Sequence, residues 1–128
     1  MKNRTKSFAL RVICPVRALP ASPEGRVIGG QLLRSGTSMA ANYRAVCRAR
    51  SRADFLAKLS IVIEEADESA FWLELLCDSG LVPAERLTDL SSDASQLVAI
   101  FHASRTTAGC VQSTIRNHQS AIAARKAS

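Results

Sequence analysis

Aromatic residues, glycine and proline are all scarce in this chain of 128 residues. Aromatic side chains make up 5% of the sequence, with six glycines and four prolines, whereas 47% of the residues are hydrophobic. Few aromatic and turn-forming residues favour helices over sheets. A chain of this length can bury one hydrophobic core, so we expect one all-α domain.

The sequence also has no long apolar run of the kind that crosses a membrane, which needs about 18 to 20 residues. Charged residues interrupt every candidate segment: Arg11, Arg17, Arg34, Lys58 and the acidic cluster at 64–68. The basic N-terminus imitates a secretion signal, but Arg11 and Arg17 break the apolar stretch that follows it. We expect a soluble, cytoplasmic protein with no membrane partner.

Patterns typical of catalytic and metal sites are missing as well. The cysteines form no C-x-x-C pair, so we expect reduced, mostly buried thiols at Cys14, Cys47, Cys77 and Cys110. Glu64, Glu65 and Glu68 have no His three residues later, as a di-metal carboxylate bundle requires. Neither a G-x-S-x-G elbow nor a glycine-rich phosphate loop is present. We expect no enzyme activity, no metal and no other cofactor.

Apolar residues at spacings of three and four predict a first helix before Pro20: Phe8, Val12, Val16 and Leu19. Pro15 lies inside this segment. A proline within a helix removes a hydrogen bond and clashes with the preceding turn, at a cost of about 3 kcal/mol. We therefore expect this helix to be kinked or to restart near Cys14.

Capping signals predict the second and third helices. Ser22 as N-cap and Pro23 at the first helical position open a helix that we expect to reach about Arg50. Ser51, followed three residues later by Asp54, resembles a capping box and opens the third helix at once. Because so short a link forces the two helices to lie antiparallel, the predicted fold is an up-and-down four-helix bundle.

The third helix should end at Gly80, and Pro83 should begin a fourth helix that ends at Gly109. Apolar residues are sparse beyond that point. We divide the chain into a basic N-terminal segment at residues 1–6, the bundle at 7–108, and a basic, disordered tail at 109–128.

Charge is distributed unevenly along the chain. Residues 1–52 carry a net charge of +10, residues 53–100 carry −8 and residues 101–128 carry +4, within a total of +6. Packing of the first two helices against the next two, or of one subunit against another, would cancel most of this segregation. The charge that remains is basic.

The third predicted helix is apolar on more of its surface than one bundle can bury. Its core stripe is extended by Ile61, Phe71, Trp72 and Leu75. A helix that is apolar nearly all round should be buried nearly all round. We therefore expect these four residues to form an interface between copies of the chain in a homo-oligomer.

Polar residues lie on the side of the second helix that should face the third. With the turn near residue 51, facing positions have numbers that sum to about 100. We predict an ion pair of Arg34 with Glu65 or Glu68 that fixes the register of the two helices; a ligand-binding role is the alternative. Further hydrogen bonds within this interface are expected from Ser35, Ser38 and Asn42.

Three separated segments resemble one family: Gln31-Leu-Leu-Arg-Ser-Gly-Thr-Ser-Met-Ala-Ala-Asn-Tyr43, Asp54-Phe-Leu-Ala-Lys-Leu59 and Glu65-Ala-Asp-Glu-Ser-Ala-Phe-Trp-Leu73. Over residues 7–106 the chain is similar to the four-helix-bundle proteins of intervening sequences in bacterial 23S ribosomal RNA genes. The resemblance implies a barrel-like pentamer without catalytic residues. A related protein, the accessory variability determinant of diversity-generating retroelements, binds nucleic acid and a reverse transcriptase. Pro15 and the C-terminal tail depart from the family pattern.

Arginines recur at helical spacing where the second helix is predicted to end. Arg44, Arg48 and Arg52 would form one ridge, with Arg50 nearby, and a second basic group lies at Lys2, Arg4 and Lys6. Such a ridge can contact successive phosphates, and a ring of subunits would multiply the contacts. Without interleaved aromatic residues, binding should depend on charge and salt, not on base identity.

We therefore predict a non-enzymatic, oligomeric accessory factor that binds RNA or DNA, with a nucleic-acid-processing protein as a further candidate partner. Two other functions fit the same residues. The basic surface could dock an acidic protein, which would make the chain a protein–protein interaction scaffold. The chain could also be a passenger of a mobile element that binds no nucleic acid.

Overall fold

Four α-helices make up the structure, which is a computed structural model. It describes the backbone of residues 1–127 and the side chains of residues 1–108. The helices are α1 (Lys2–Arg17), α2 (Pro23–Val46), α3 (Arg52–Ser79) and α4 (Ala84–Ala127), and the described backbone contains no strand. Each helix packs on the next in sequence, and α1 also contacts α4. The prediction of an all-α protein with four packed helices is confirmed.

The capping signals lie where the sequence placed them. The Ser22 hydroxyl accepts a hydrogen bond from the Gly25 N–H at 3.1 Å, and the Ser51 hydroxyl accepts one from the Asp54 N–H at 3.0 Å. Gly80 ends α3 in the left-handed region, with φ of 74°. A side chain disfavours that conformation, which explains the glycine.

The core lies between the apolar stripes of all four helices. Its largest fully buried side chains are Phe8 and Val12 of α1, Leu32 and Met39 of α2, Leu59, Val62, Leu73 and Leu76 of α3, and Leu87, Leu97 and Phe101 of α4. Residues at these helical spacings share one face of each helix. Burial of this face stabilises the fold by removing apolar surface from water.

Glycines in α2 allow α1 to approach closely. A Cβ atom at Gly36 would lie 3.4 Å from Val12 Cγ2, and one at Gly29 would lie 3.4 Å from Val16 Cγ1 and 2.7 Å from Cδ1 of Leu19, just after α1. Side chains of α1 therefore pack directly on the backbone of α2. These positions explain why a helix tolerates residues of low helix propensity.

The N-terminal helix differs from its prediction in two respects. It begins at Lys2, so residues 2–6 of the basic N-terminal segment are helical and belong to α1. It also continues through Pro15 to Arg17 without restarting at Cys14. Pro15 lies in the last turn, so it leaves the Arg11 carbonyl without its helical N–H donor, but only two helical residues follow it.

The predicted ends of α2 and α4 were wrong. α2 ends at Val46 and not near Arg50. The N–H groups of Arg48 and Ala49 donate to the carbonyls of Ala45 and Val46, three residues earlier, and these tighter turns end the helix. α4 does not end at Gly109 but continues to Ala127. A single glycine costs only about 1 kcal/mol in a helix, and no proline follows it. The side chains of the predicted basic tail lie outside the described residues.

The thiols are less buried than the sequence predicted. Cys14 and Cys47 are exposed and Cys77 is half-buried, and all three are free. Cys14 lies on the outer side of α1, and Cys47 lies in the turn that follows α2. Cys110 is outside the residues whose side chains are described.

Across the described residues, none of the four helices combines the length and the apolar composition that crossing a membrane requires.

Two glycines of α2 should respond oppositely to substitution by alanine. We predict that Gly30→Ala stabilises the fold by up to about 1 kcal/mol, because a Cβ there meets nothing within 4 Å and alanine favours the helix. Gly25→Ala should destabilise it, because the new Cβ would lie 2.6 Å from the Pro20 carbonyl oxygen. Urea unfolding measures both; equal stabilisation by the two substitutions would contradict the close contact at Gly25.

Candidate nucleic-acid interface

A groove lies between the start of α1 and the C-terminal half of α2, with a volume of about 380 Å³. Its lining residues are Lys2, Asn3, Lys6, Ala40, Ala41 and Arg44. Lys2 and Lys6 are four residues apart, so both project from one side of α1. Because α1 and α2 are antiparallel, that side meets Arg44 in the last turn of α2. Among the side chains of residues 1–108, no acidic one lines this groove.

A shallower depression continues the groove toward the α2–α3 turn and has a volume of about 520 Å³. It is lined by Ala41, Arg44, Ala45, Arg48 and Lys58. Ala41 and Arg44 line both depressions, so the two are adjacent. We call this surface the cationic groove and define it by Lys2, Lys6, Arg44 and Arg48.

The charges of the cationic groove are not neutralised locally. Lys2, Lys6, Arg44 and Arg48 are all exposed, and within residues 1–108 none has an acidic side chain within ion-pair distance. Arg44 also lies in the last turn of its helix, where the helix dipole favours a cation. Exposed cations of this kind attract anions over about a Debye length.

Lys58 borders the groove but carries less free charge. Its ammonium donates to Asp54 Oδ2 at 2.9 Å, and the backbone N–H of Arg50 donates to the same oxygen at 3.1 Å. These hydrogen bonds, chiefly the one from Lys58, hold the pKa of Asp54 below its usual range. The Arg50 backbone is thereby fixed at the start of α3.

Arg4 was predicted to contact nucleic acid, but the structure places it in a different role. Its guanidinium donates to Asp93 Oδ1 at 2.8 Å and to Gln96 Oε1 at 2.8 Å, both on α4. Arg11 reaches the other oxygen of Asp93 at 3.3 Å. Arg4 therefore joins α1 to α4 on a side of α1 away from Lys2 and Lys6. Sequence patterns do not indicate this partner, which lies 89 residues away.

The predicted ridge of Arg44, Arg48 and Arg52 does not exist as a single helical surface. Arg44 is in α2, Arg48 is in the turn, and Arg52 is the first residue of α3. Arg52 lines a separate depression with Phe55 of α3 and with Ile100, Ala103, Ser104, Thr107 and Ala108 of α4. The turn between α2 and α3 thus divides the arginines, and Arg44 and Arg48 alone share the groove.

Sequence reasoning missed the residues that give the groove its shape. Asn3 adds a side-chain amide, and Ala40, Ala41 and Ala45 form a floor of small side chains. The available sequence signal for this groove was a pair of alanines followed three residues later by an arginine, in Ala40-Ala41-Asn42-Tyr43-Arg44. Tyr43 points away from the groove to Phe101, with ring centroids 5.7 Å apart. The groove has no aromatic lining residue on which a base could stack.

The expected ion pair joins α2 to α3. Arg34 Nη1 lies 3.2 Å from Glu65 Oε2, and Arg34 Nη2 donates to Glu68 Oε1. The guanidinium is 47% exposed, so the pair lies at the edge of the helix interface and not in the core. Trp72 Nε1 also donates to Glu68 Oε1, at 3.3 Å. The hydrogen bond from Arg34 holds the pKa of Glu68 below its usual range, which burial of the carboxylate opposes.

Serines occupy the interior of the same interface. Ser35 and Ser69 are fully buried, and the Ser69 hydroxyl donates to Ser35 Oγ at 3.0 Å across the two helices. Asn42 bonds Ser38 within α2, to both its carbonyl and its hydroxyl at 2.9 Å. The expected cross-helix hydrogen bond is therefore present at Ser35, whereas Ser38 and Asn42 bond to each other within α2.

The outer side of α3 remains apolar in the single chain. Ile61 is 45% exposed and Phe71 is 52% exposed. Trp72 and Leu75, the other residues of the predicted interface, are half-buried against the core. Phe71 packs edge-to-face on Trp72 with ring centroids 5.0 Å apart.

Within residues 1–108, no three His, Cys, Asp or Glu side chains come together in a group that could hold a metal ion. His102 lies 3.7 Å from Asp67 and 3.2 Å from an Arg105 nitrogen, which places it on the surface between α3 and α4.

These features define a small all-α protein with four packed helices and a cationic groove near one end. The family model described as 23S rRNA-intervening sequence protein matches residues 1–103. The chain belongs to that family.

A crystal structure from Bacteroides thetaiotaomicron VPI-5482 is similar to this chain, and its protein is described as one of unknown function from the S23 ribosomal protein family. The two are 34% identical, with a TM-score of 0.75, over 81% of this chain and 96% of that one. No protein of curated function matches the chain.

The Arg34–Glu68 pair should make stability depend on pH. We predict that Glu68→Gln lowers the free energy of unfolding at pH 7 by about 0.2 to 1 kcal/mol, the range for exposed pairs. Because the folded-state pKa of Glu68 is lowered, its contribution is present above the unfolded-state pKa, near 4.3, and is lost as pH falls through the folded-state value.

Urea unfolding at pH 7 and pH 3 measures this difference. Glu74→Gln is the matched control, since Glu74 lies on the same helix, is exposed and forms no ion pair among the described side chains. A destabilisation by Glu68→Gln that is equal at both pH values would contradict an electrostatic role.

Proposed function

We propose that this protein is a non-enzymatic, homo-oligomeric accessory factor that binds nucleic acid through the cationic groove. The observation that carries the proposal is the position of Lys2, Lys6, Arg44 and Arg48 on one surface that has no acidic lining residue. Two helices and the turn after α2 contribute these charges. Four unneutralised cations on one side of a small protein attract a polyanion.

The shape of the groove supports a phosphate backbone as the ligand. Ala40, Ala41 and Ala45 leave space between the basic side chains, so a sugar–phosphate chain can approach the helix surface. The amide of Asn3 can donate to a phosphate oxygen beside Lys2 and Lys6. Without an aromatic lining residue there is no stacking platform, and the binding we propose is charge-driven and not base-specific.

Assembly of several copies would strengthen this binding. The exposed Ile61 and Phe71 side chains support an interface between subunits, with Trp72 and Leu75 at its edge. We propose a ring, and a pentamer in keeping with the family resemblance. A ring would place one cationic groove on every subunit and so raise the total affinity for a long strand.

RNA is the ligand we propose to test first. The family to which the chain belongs takes its name from an intervening sequence of 23S rRNA. The chemistry of the groove does not itself separate RNA from DNA, because both present the same phosphates. An acidic protein is the competing ligand, and it would be recognised by the same cations.

Charge reversal in the groove should weaken binding. We predict that Arg44→Glu with Arg48→Glu weakens binding of labelled single-stranded RNA. The slope of log affinity against log salt is negative, and its magnitude should decrease by about 1.4 for each subunit in contact, at about 0.7 per lost phosphate contact. Fluorescence anisotropy over a salt series measures both quantities, and light scattering after size exclusion checks that the oligomer is unchanged.

The control is Arg26→Glu with Arg86→Glu, which changes the net charge by the same amount at exposed arginines outside the groove. This control should retain most of the RNA affinity and the salt slope. If both double variants lose binding equally, the attraction depends on net charge and not on the groove. If wild type binds no RNA or DNA, the interaction scaffold becomes the better explanation.

A further inference from the structure

Two helices at opposite corners of the bundle present outward surfaces of opposite charge. Among the described contacts, α1 and α3 each pack on α2 and on α4, and not on each other. α1 contains five basic residues and no acidic one. α3 contains seven acidic residues and two basic ones. Of the four helices, α1 and α3 therefore differ most in total charge.

The α3 surface combines apolar and acidic side chains. We define it by Ile61, Glu64, Phe71 and Asp78, which follow one another at spacings of three or seven and share the outer side of the helix. All four are exposed. Glu64 and Asp78 form no ion pair among the described side chains.

The α1 surface is the counterpart, with apolar and basic side chains. We define it by Leu10, Cys14 and Arg17, at spacings of four and three on the outer side of α1. All three are exposed, and Leu10 has 58% of its surface in contact with solvent. Arg17 forms no ion pair within residues 1–108.

A symmetric contact would pair each surface with itself. Two α3 surfaces face to face would bring the acidic side chains Glu64 and Asp78 of both copies together, and two α1 surfaces would offer Arg17 no acidic partner. Like charges at an interface cost free energy, whereas opposite charges steer association and fix its register. Unlike pairing also covers the exposed apolar side chains of both helices at once.

We propose that the α1 surface of one copy docks on the α3 surface of the next, in a head-to-tail contact. Leu10 then packs against Ile61 and Phe71, and Arg17 lies near the acidic side chains of α3. A heterologous contact of this kind leaves one free surface at each end, so it continues until a ring closes. This inference rests on the proposed homo-oligomer and names the two surfaces that form it.

Complementation between two variants tests the contact without any nucleic acid. Leu10→Asp blocks the α1 surface, and Phe71→Asp blocks the α3 surface; both sites are exposed, so circular dichroism should show an unchanged helix content. Each variant alone should be monomeric by size exclusion with light scattering. An equimolar mixture should form a one-to-one heterodimer and nothing larger. The Phe71→Asp protein keeps an intact α1 surface, which can dock only on the intact α3 surface of the Leu10→Asp protein.

Val27→Asp is the control, since Val27 is 61% exposed on α2 and belongs to neither surface. It should retain the wild-type size. A Leu10→Asp protein of wild-type size would overturn the proposal in favour of a symmetric α3 contact, and a mixture that stays monomeric would also overturn it. Wild type that is itself monomeric would refute the oligomer. None of these results depends on RNA binding, which the Arg44 and Arg48 variants test separately.

Discussion

The short turn between α2 and α3 is the constraint on which most of the other contacts depend. The Ser51 hydroxyl accepts the N–H of Asp54, and the Asp54 carboxylate accepts the N–H of Arg50, so the chain reverses within a few residues. A turn this tight sets the register of two long antiparallel helices. Arg34 reaches Glu65 and Glu68 because of that register, and Ser35 meets Ser69 for the same reason. The ion pair at the edge and the hydroxyl pair in the interior then favour one register over its neighbours.

The cationic groove is a consequence of the same topology. An up-and-down arrangement brings the start of α1 beside the end of α2, where Arg44 occupies the last helical turn. Lys2 and Lys6 therefore meet Arg44 although nearly forty residues separate them, and the turn adds Arg48. The glycines at positions 29 and 36 let the two helices approach closely farther along. Basic residues of two helices form one surface because the start of α1 and the end of α2 lie at the same level of the bundle.

The helix number, the caps and the α2–α3 register could be predicted because each depends on residues close together or on a short turn. The arginine ridge could not, because it required α2 to continue to Arg52, six residues farther than Val46, and helix ends are set by weak, competing hydrogen bonds. Arg4 was predicted to contact nucleic acid because its hydrogen-bond partner Asp93 is distant in sequence. Periodicity indicates which face of a helix is polar, but not which neighbour a charged side chain will reach.

The segregation of charge along the chain is only partly neutralised within one subunit. The described cross-helix pairs involving α1 or α2 use Arg4 and Arg11 with Asp93, and Arg34 with Glu65 and Glu68. The basic groove and the acidic outer side of α3 keep their charge in the described structure. Both proposed interactions, with a polyanion and with another copy, would draw on this remaining charge, so both weaken as salt rises. Salt sensitivity alone therefore cannot distinguish them, whereas substitutions can: Arg44 and Arg48 lie in the groove, and Leu10 and Phe71 lie outside it on separate helices.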